Sequence, residues 1–437
     1  MHNSGISSDS TPDISAAQVN EFEDTNTSGE TGELKISVIS SLGYVPIEGA
    51  AVTITYTGDP DSPVLTLTTN SSGDTETVDL PTPPISYSLD PDSERQPYSE
   101  YNIMVEAEGY EPVLVTGSEL LSEQLSLQPI RMNPLEATEE EEKLVVIPAH
   151  TLFGDYPPKI PEDEIKPMDE SGEIVLSRVV IPEYIIVHDG VPSDSTAPNY
   201  WVRYKDYIKN VASCEIYSTW PEAALYANIL AIMSVTLNRV YTEWYRNQGY
   251  DFTITTSTAY DQKWIYGRNI FENIDYLVDT VFANYLSRPG VQQPIFTSYC
   301  DGRRVTCSGL SQWGSKYLAD EGYSAIEIIR YYFGSDMYIN TADIISGVPS
   351  SYPGYSLTIG SSGDKVRQLQ TQLNRIARNY PALPQITVDG IYGPNTAEAI
   401  RIFQGIFNLP QTGVTDYATW YEVSEIYVGV TRIAEPG

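Results

Sequence analysis

The spacing of apolar residues changes along this chain of 437 residues, and that change limits the possible folds more than any other feature. In the first part, apolar and polar side chains alternate, as in LKISV at residues 34–38 and VTITY at 52–56. Such alternation is typical of half-buried β-strands. About seven short segments of this kind, separated by turn sequences such as NSSGD at 70–74, predict a β-sandwich over residues 33–133.

After residue 180 the apolar residues recur every three or four positions, which predicts helices. The sequence TWPE at 219–222 has the pattern of a capping box, and it predicts a long helix that ends at Gly249. Further helices are predicted across residues 270–286 and 324–333. We therefore expect a multidomain α+β protein: the N-terminal β-sandwich, a central mainly helical α+β domain at 181–348, and a C-terminal three-helix domain at 356–427.

Charge is distributed as unevenly as the apolar pattern. The formal net charge is −34, of which −23 falls in residues 1–150, −7 in 151–200 and −4 in the remainder. Phosphates need Lys and Arg to neutralise them, so a chain this acidic is not expected to bind nucleic acid or an anionic membrane surface. Residues 1–32 are polar, acidic and almost free of large apolar side chains, which predicts a flexible tail.

A second acidic stretch, rich in Pro, covers residues 134–180 and separates the sandwich from the central domain. Four consecutive carboxylates at 139–142 repel one another and favour an extended, solvated linker. Two interpretations are open. The stretch is a simple spacer, or it contains a protease-accessible processing site near residues 143–147, since proteolytic nicking concentrates in exposed loops.

Cysteine and histidine are too few for several kinds of site. Three His residues lie far apart, so we expect no zinc site built from His, and neither a metal nor a cofactor is predicted. Cys300 and Cys307 can form a disulfide, remain free or bind a metal with other partners. The sequence has no run of about 18 apolar residues, so no transmembrane helix is expected. The first fifteen residues lack the basic start and apolar segment of a secretory signal, so none is expected either.

The C-terminal segment resembles the three-helix type of peptidoglycan-binding domain. The resemblance rests on GSSGDKVRQLQTQLN at 360–374, VDGIYGPNTAEAIRIFQ at 388–404 and LPQTGVTDYATW at 409–420. It implies contacts with glycan, for which aromatic rings and amides are suited. Some of the matching residues also define the fold. The candidate binding residues are Asp389, Gly390, Gly393, Thr396, Phe403, Gln404 and Trp420.

The central segment resembles the catalytic domain of the stage II sporulation protein D family, whose members are lytic transglycosylases. The resemblance runs through YIKNVASCEIYSTWPEAALYANILAIMS at 207–234, AYDQKWIYGRN at 259–269, FTSYCDG at 296–302 and LSQWGSKYLADEGYSAIEIIRYYFG at 310–334. It implies that Glu215 is the catalytic acid. It also implies that Gln262, Tyr266, Ser311 and Gln312 bind substrate. Some members bind zinc just before the glutamine, but TTSTAYDQ here has no Cys or His, so no zinc is expected.

The chemistry of Glu215 can be argued from the residues around it. Glycosidic cleavage needs a proton on the leaving oxygen, and a carboxylic acid in apolar surroundings keeps that proton near neutral pH. A hydrolase uses two carboxylates. A lytic transglycosylase needs one, because the 6-hydroxyl of the muramic acid attacks the anomeric carbon. Asp261 and Asp301 are candidates for a second carboxylate, although turn and hydrogen-bonding roles suit both better.

The order of the domains resembles clostridial spore cortex-lytic enzymes of the SleC type. YNIMVEAEGYEPV at 101–113 adds a resemblance to transthyretin-like, carboxypeptidase-regulatory sandwiches. The family implies a zymogen, made in the mother cell and held in the spore, that a subtilisin-like germination protease activates against cortex peptidoglycan. Two alternatives remain open: a vegetative wall-remodelling autolysin, and a non-catalytic peptidoglycan-binding or coat-assembly protein.

Overall fold

The computed structural model describes residues 29–135, 143–154, 157–166 and 178–431. Within these ranges the fold is multidomain α+β, as the sequence predicts. The strands are β1 (Glu30–Ser40), β2 (Ala51–Tyr56), β3 (Asp59–Thr68), β4 (Val78–Thr82), β5 (Ser99–Glu106), β6 (Val113–Leu120), β7 (Leu125–Met132), β8 (Lys143–Val146), β9 (Val180–Ile181), β10 (Tyr184–His188), β11 (Asn199–Arg203), β12 (Ile254–Thr255), β13 (Ile270–Phe271), β14 (Asn284–Ser287), β15 (Tyr299–Cys300), β16 (Leu310–Ser311), β17 (Tyr338–Thr341) and β18 (Ile344–Ile345). The helices are α1 (Ser86–Leu89), α2 (Tyr204–Glu215), α3 (Glu222–Tyr241), α4 (Glu272–Val281), α5 (Gln312–Asp320), α6 (Ala325–Phe333), α7 (Asp364–Ile376), α8 (Pro394–Ile406) and α9 (Tyr417–Thr431).

Two sheets pack face to face in the N-terminal part. One has the strand order β3-β2-β5-β6-β8, and the other has the order β13-β7-β1-β4. Every second residue of β1 and β2 is buried in the apolar core of the sandwich, including Leu34, Val38 and Ile54. The alternating pattern therefore predicted these strands correctly, because a sheet with one face in the core repeats every two residues.

The sandwich is joined to the central domain by strand pairing and by buried polar contacts. Strand β13, which lies in the central segment, pairs antiparallel with β7 and so extends the second sheet. The Arg268 guanidinium donates hydrogen bonds of 3.0 and 2.6 Å to the Glu119 carboxylate, and both side chains are almost wholly buried. The Gln128 amide donates to the carbonyl oxygen of Gly267 at 2.9 Å. The two parts therefore pack as one body.

The stretches predicted to be a flexible tail and a flexible linker contain regular structure. Residues 1–28 and the acidic run at 139–142 lie outside the described residues, but β1 already begins at Glu30, within the predicted tail. Residues 143–146 were expected in an exposed loop; they form β8, which pairs in parallel with β6. The loop prediction is wrong here because Val145 and Ile147 are buried in the sandwich core. Cleavage near these residues remains a prediction.

Helix α3 begins and ends at different residues from those predicted. Pro221 precedes its first residue and no side chain caps its N-terminus, so the predicted capping box is wrong. The Thr219 hydroxyl instead makes a 2.8 Å hydrogen bond with the hydroxyl of Ser88 in the sandwich. The helix ends at Tyr241. Gly249, with a φ of +86°, ends a separate 3-10 turn.

Two other predicted helices differ in how well they match. The helix predicted at 270–286 is α4, which ends at Val281 because β14 begins at Asn284 and pairs with β17. The helix predicted at 324–333 is confirmed as α6. It has the reciprocal capping box between Ser324 and Glu327 that the sequence pattern of a helix start favours.

Helix α3 forms the centre of the molecule. This helix of 20 residues has the length and the apolar composition of a membrane-spanning helix, yet 83% of its most apolar window is buried inside the protein. Apolar residues predicted to lie on one face, including Leu225, Ile229 and Leu237, are buried. Its apolarity is thus accounted for by its position in the protein core.

The C-terminal three-helix domain packs against the central domain through a buried cluster of charges. The Lys205 ammonium on α2 lies 2.6 Å from Glu422 and 2.9 Å from Glu425, both on α9, and 3.0 Å from Asp279 on α4. Burial raises the pKa of the Glu422 carboxyl to about 7. We therefore expect titration of Glu422 to change the stability of the contact between these domains.

Candidate active site

Glu215 is the last residue of helix α2, and its side chain is fully buried. The helix ends there because Ile216 is extended. The Trp-Pro pair that follows leads into α3, as the resemblance implied. Two successive helices therefore hold the carboxyl group at their junction, on rigid backbone. Such placement suits a catalytic group, whose geometry must be fixed closely.

The surroundings of Glu215 shift the pKa of its carboxyl group in opposite directions. Burial raises its pKa above the usual value, whereas the Lys159 ammonium, the backbone N–H of Lys263 and the Tyr299 hydroxyl lower it. The Lys263 N–H donates to Oε1 of Glu215 at 2.7 Å. Burial is the largest of these effects, so the group is displaced toward the protonated form that a general acid needs.

The two candidates for a second carboxylate are engaged elsewhere. Asp261 Oδ1 accepts from Arg239 Nε at 2.7 Å, and its Oδ2 accepts from the Tyr245 hydroxyl at 2.7 Å and from the backbone and hydroxyl of Thr255. Asp301 accepts three backbone N–H groups from the loop that follows it. Both Asp residues therefore have the hydrogen-bonding and turn roles that the sequence favoured.

The glutamine and tyrosine predicted to bind substrate have structural partners. Gln262 is buried, accepts from the hydroxyls of Tyr207 and Thr236, and donates to the carbonyl oxygen of Ile232. These bonds hold α2 against α3, and the predicted role of Gln262 in binding substrate stays a prediction. The Tyr266 hydroxyl accepts from Lys143 Nζ at 2.6 Å and lies in a cavity between domains. Glu215 does not line that cavity.

Ser311 and Gln312 lie at the start of helix α5. Ser311 caps this helix by accepting from the backbone N–H of Gly314 at 2.9 Å. Strand β16, which contains Ser311, pairs with β15, which contains Tyr299, a neighbour of Glu215. Gln312 is fully buried. Among the described residues, neither polar atom of its side chain has a hydrogen-bond partner, so Gln312 has unused donor and acceptor capacity.

Cys300 and Cys307 form a disulfide, which settles the three alternatives left open by the sequence. The bond closes the loop that begins immediately after Tyr299. Asp301 stabilises the same loop through its backbone contacts. The cross-link therefore restrains the backbone next to a residue that touches Glu215.

Most residues predicted to contact glycan in the C-terminal domain are buried. Phe403 and Trp420 lie in its core, and Thr396 accepts from the amide of Gln370. Gln404 donates to the carbonyl oxygen of Val414 and accepts from the N–H of Gly413. These side chains hold the fold together, and direct contact between them and glycan stays a prediction that their burial does not favour.

Asp389, Gly390 and Gly393 shape one loop of this domain. Asp389 is exposed, but its Oδ1 accepts from Gln370 at 2.9 Å and from the N–H of Ile391 at 2.8 Å. Gly390 has a φ of +77°, which favours glycine, and Gly393 precedes the first residue of α8. These residues therefore shape a loop, and their contact with glycan stays a prediction.

That loop carries apolar side chains that the sequence analysis did not single out. Val388 and Ile391 are 38% and 57% exposed, and Ile359 on the neighbouring segment is 60% exposed. Two backbone hydrogen bonds join the segments: the N–H of Gly360 donates to Tyr392, and the N–H of Tyr392 donates to Ser361. Three exposed aliphatic side chains on paired loops form a surface suited to the apolar faces of sugar rings.

A cavity of about 620 Å³ lies where the three domains meet. The rings of Tyr200, Trp264 and Tyr266 line one wall in tilted and edge-to-face contact, with centroids 5.0–6.2 Å apart. The cavity lies apart from the Glu215 environment. Within the described ranges, no group of three or more His, Cys, Asp or Glu side chains is placed to hold a metal ion.

Comparison with known proteins identifies the C-terminal domain. Residues 362–422 match the peptidoglycan binding domain family. The chain thus carries a C-terminal peptidoglycan-binding domain, and it is a cell-wall-associated protein. The match agrees with the boundaries of the α7–α9 helices, which span residues 364–431.

Two proteins are similar to parts of the chain. The zinc D-Ala-D-Ala carboxypeptidase of Streptomyces albus G is 38% identical over 72 residues, which is 16% of this chain and 27% of that protein. The chain therefore spans about a quarter of the length of this relative. The crystal structure of GBS52, a minor pilin of Streptococcus agalactiae, overlaps 28% of this chain and 49% of its own at 14% identity, with a TM-score of 0.18. An overlap this low says nothing about the fold.

Proposed function

We propose that this protein is the precursor of a lytic transglycosylase that cleaves the glycan strands of peptidoglycan. The observation that carries the proposal is the burial of Glu215 at the junction of α2 and α3, with a pKa raised by that burial. Peptidoglycan binding by the C-terminal domain supplies the polymer, and it raises the local concentration of glycan near the central domain. The similarity to a carboxypeptidase that acts on D-Ala-D-Ala is consistent with a wall substrate.

The proposed reaction needs one carboxyl group. Protonated Glu215 donates its proton to the glycosidic oxygen as the bond to the anomeric carbon of muramic acid breaks. The resulting carboxylate then accepts the proton of the muramic 6-hydroxyl while that oxygen bonds to the anomeric carbon. The products are a 1,6-anhydro end and a new 4-hydroxyl end, with no water consumed. The engagement of Asp261 and Asp301 elsewhere favours this course over the two-carboxylate hydrolysis.

The proposed substrate is spore cortex, and the enzyme is proposed to act during germination. In this account the chain is made in the mother cell, is held in the spore as a zymogen and is activated by a subtilisin-like germination protease. The lopsided charge supports a removable N-terminal part, since loss of residues 1–150 removes −23 of the −34 net charge. A less acidic enzyme is repelled less by a wall that carries carboxylates.

The experiment compares three purified full-length chains before and after limited cleavage by a subtilisin-like protease. They are the unaltered protein, Glu215→Gln and the control Glu222→Gln, which alters an exposed residue in the first turn of α3. Each is incubated with isolated cortex, and the released fragments are analysed by mass spectrometry. We expect anhydro-muramic ends from the unaltered chain and the control, and none from Glu215→Gln. Unchanged release by Glu215→Gln contradicts the assignment of Glu215.

The same assay, run also on isolated vegetative peptidoglycan, separates the alternatives. A non-catalytic binding or coat-assembly protein sediments with cortex and releases nothing. A vegetative autolysin cleaves vegetative peptidoglycan at least as fast as cortex, whereas the proposal expects preference for cortex.

A further inference from the structure

Residues 157–166 cross the central domain without regular secondary structure, although they belong to the stretch predicted as a linker. Their backbone is hydrogen-bonded to that domain at several points. The N–H of Ile160 donates to the carbonyl oxygen of Ala259 at 2.8 Å, and the N–H of Phe296 donates to that of Glu164 at 2.8 Å. These bonds resemble the way in which a bound peptide lies in a groove.

The side chain of Lys159 reaches the candidate catalytic group. Its ammonium donates to the carbonyl oxygen of Asp261 at 2.5 Å and lies 4.5 Å from the centre of the Tyr299 ring. It is near enough to Glu215 for each charge to affect the pKa of the other. Lys159 thus occupies space beside the carboxyl group, where a substrate oxygen needs to approach.

Two carboxylates of the same segment hold two guanidinium groups. Glu162 accepts from both terminal nitrogens of Arg239, at 2.8 and 2.6 Å, and Glu164 accepts from two nitrogens of Arg288. Paired hydrogen bonds of this kind are the geometry in which Arg recognises a carboxylate. Departure of the segment leaves both guanidinium groups with free donors along one groove.

We propose that residues 157–166 are a plug in the groove that receives the peptidoglycan strand, and that the strand binds only after the plug leaves. This inference rests on the proposed function and names the groove of that function. The ligand class is a glycan that carries carboxylates, since the lactyl and stem-peptide carboxylates of peptidoglycan can replace Glu162 and Glu164 on Arg239 and Arg288. Lys159 takes the position of the reacting sugar oxygen.

Plug departure also prepares Glu215 for its reaction. The Lys159 ammonium favours the ionised carboxylate, which cannot donate a proton. Its removal takes away the largest of the influences that lower the pKa of Glu215. One movement therefore opens the groove and removes the charge that opposes the protonated acid.

The test uses the full chain with Lys159→Ser, Glu162→Ser and Glu164→Ser combined. A matched control combines Arg246→Ser, Glu123→Ser and Glu321→Ser, which removes the same charges from exposed positions. Hydrogen exchange followed by mass spectrometry reports on the segment 259–263, whose Lys263 N–H donates to Glu215 and whose Ala259 and Asp261 carbonyl oxygens accept from the plug. We expect exchange there to accelerate by roughly tenfold or more in the plug variant alone. A soluble peptidoglycan tetrasaccharide with stem peptides should restore protection, and neutral chitotetraose should do so less.

A second measurement keeps the test independent of the stability of the triple variant. The free peptide of residues 157–166 should displace the tetrasaccharide from the opened groove, and a peptide with the three Ser replacements should not. Wild-type exchange rates in the plug variant, or an open groove that the tetrasaccharide fails to protect, overturn the inference. A groove that opens and binds the tetrasaccharide but cleaves no cortex leaves the inference standing and refutes the proposed reaction.

Discussion

The buried ion pair between the sandwich and the central domain allows a quantitative prediction. Arg268 and Glu119 form two hydrogen bonds, of 3.0 and 2.6 Å, and their side chains are 0% and 1% exposed. Glu119→Ala removes both acceptors and leaves a guanidinium buried without a carboxylate. Breaking a buried pair in this way costs about 3–5 kcal/mol, because the remaining charge keeps its desolvation penalty.

A control on the same domain boundary separates burial from mere contact. Asp92 lies 2.5 Å from Arg303 across that boundary, but its side chain is 84% exposed. Water screens such a pair, so Asp92→Ala should cost less than about 1 kcal/mol. Replacing both buried partners, as Glu119→Leu with Arg268→Met, should recover most of the loss since no charge is left unpaired.

Urea denaturation followed by tryptophan fluorescence measures these differences. The reasoning requires Glu119→Ala to be the least stable of the three variants by at least about 2 kcal/mol. It is refuted if Glu119→Ala and Asp92→Ala destabilise equally, or if the double replacement is as unstable as Glu119→Ala. Either result means that the buried pair does not couple the two domains.

Three further predictions concern other parts of the molecule. Glu422→Gln should stabilise the chain in urea at pH 8 but not at pH 5. Burial raises the pKa of Glu422 to about 7, so the native chain loses stability as the pH rises through that value. Equal gains in stability at both pH values contradict this. Ile391→Ser should weaken cosedimentation with cortex without lowering the melting temperature, because its side chain lies on the surface. Gln404→Ala should lower the free energy of unfolding by about 1–3 kcal/mol, because it leaves buried backbone groups unpaired. The reverse pattern refutes the assignment of Ile391 to the binding surface and of Gln404 to the core. Replacing Cys300 and Cys307 by Ser should destabilise the chain by about 2.5 kcal/mol, from the entropy of the short loop they close, and an unchanged urea midpoint contradicts it.

Periodicity predicted the elements whose burial is simple. The strands around Leu34 and Ile54 and the helix around Ile229 have one burial pattern along their length, so the apolar spacing reports it directly. The ends of the helices were predicted less well. Thr219 had the local signature of a helix cap, but a hydroxyl in the sandwich binds it instead, and no local pattern contains that contact.

The candidate site shows the same division between local and distant information. The position of Glu215 at the end of α2 agreed with the quoted resemblance, because a helix end is set by nearby residues. Gln262 was predicted to bind substrate from the resemblance, and Gln404 also because amides suit sugars. In the structure both side chains are hydrogen-bonded to other parts of the protein, which no local pattern contains. Lys159 lies in a stretch whose composition predicts only a linker, so its approach to Glu215 was visible only in the fold.

Isotope labelling of the cleavage products tests the central claim most directly. Cortex is digested in water enriched in oxygen-18 by the protease-cut chain, and the new muramic acid ends are weighed by mass spectrometry. If Glu215 acts alone on the 6-hydroxyl, each new end is a 1,6-anhydro group without the heavy isotope, and Glu215→Gln yields none. One heavy oxygen in each new end means that water attacks, which contradicts the transglycosylase account.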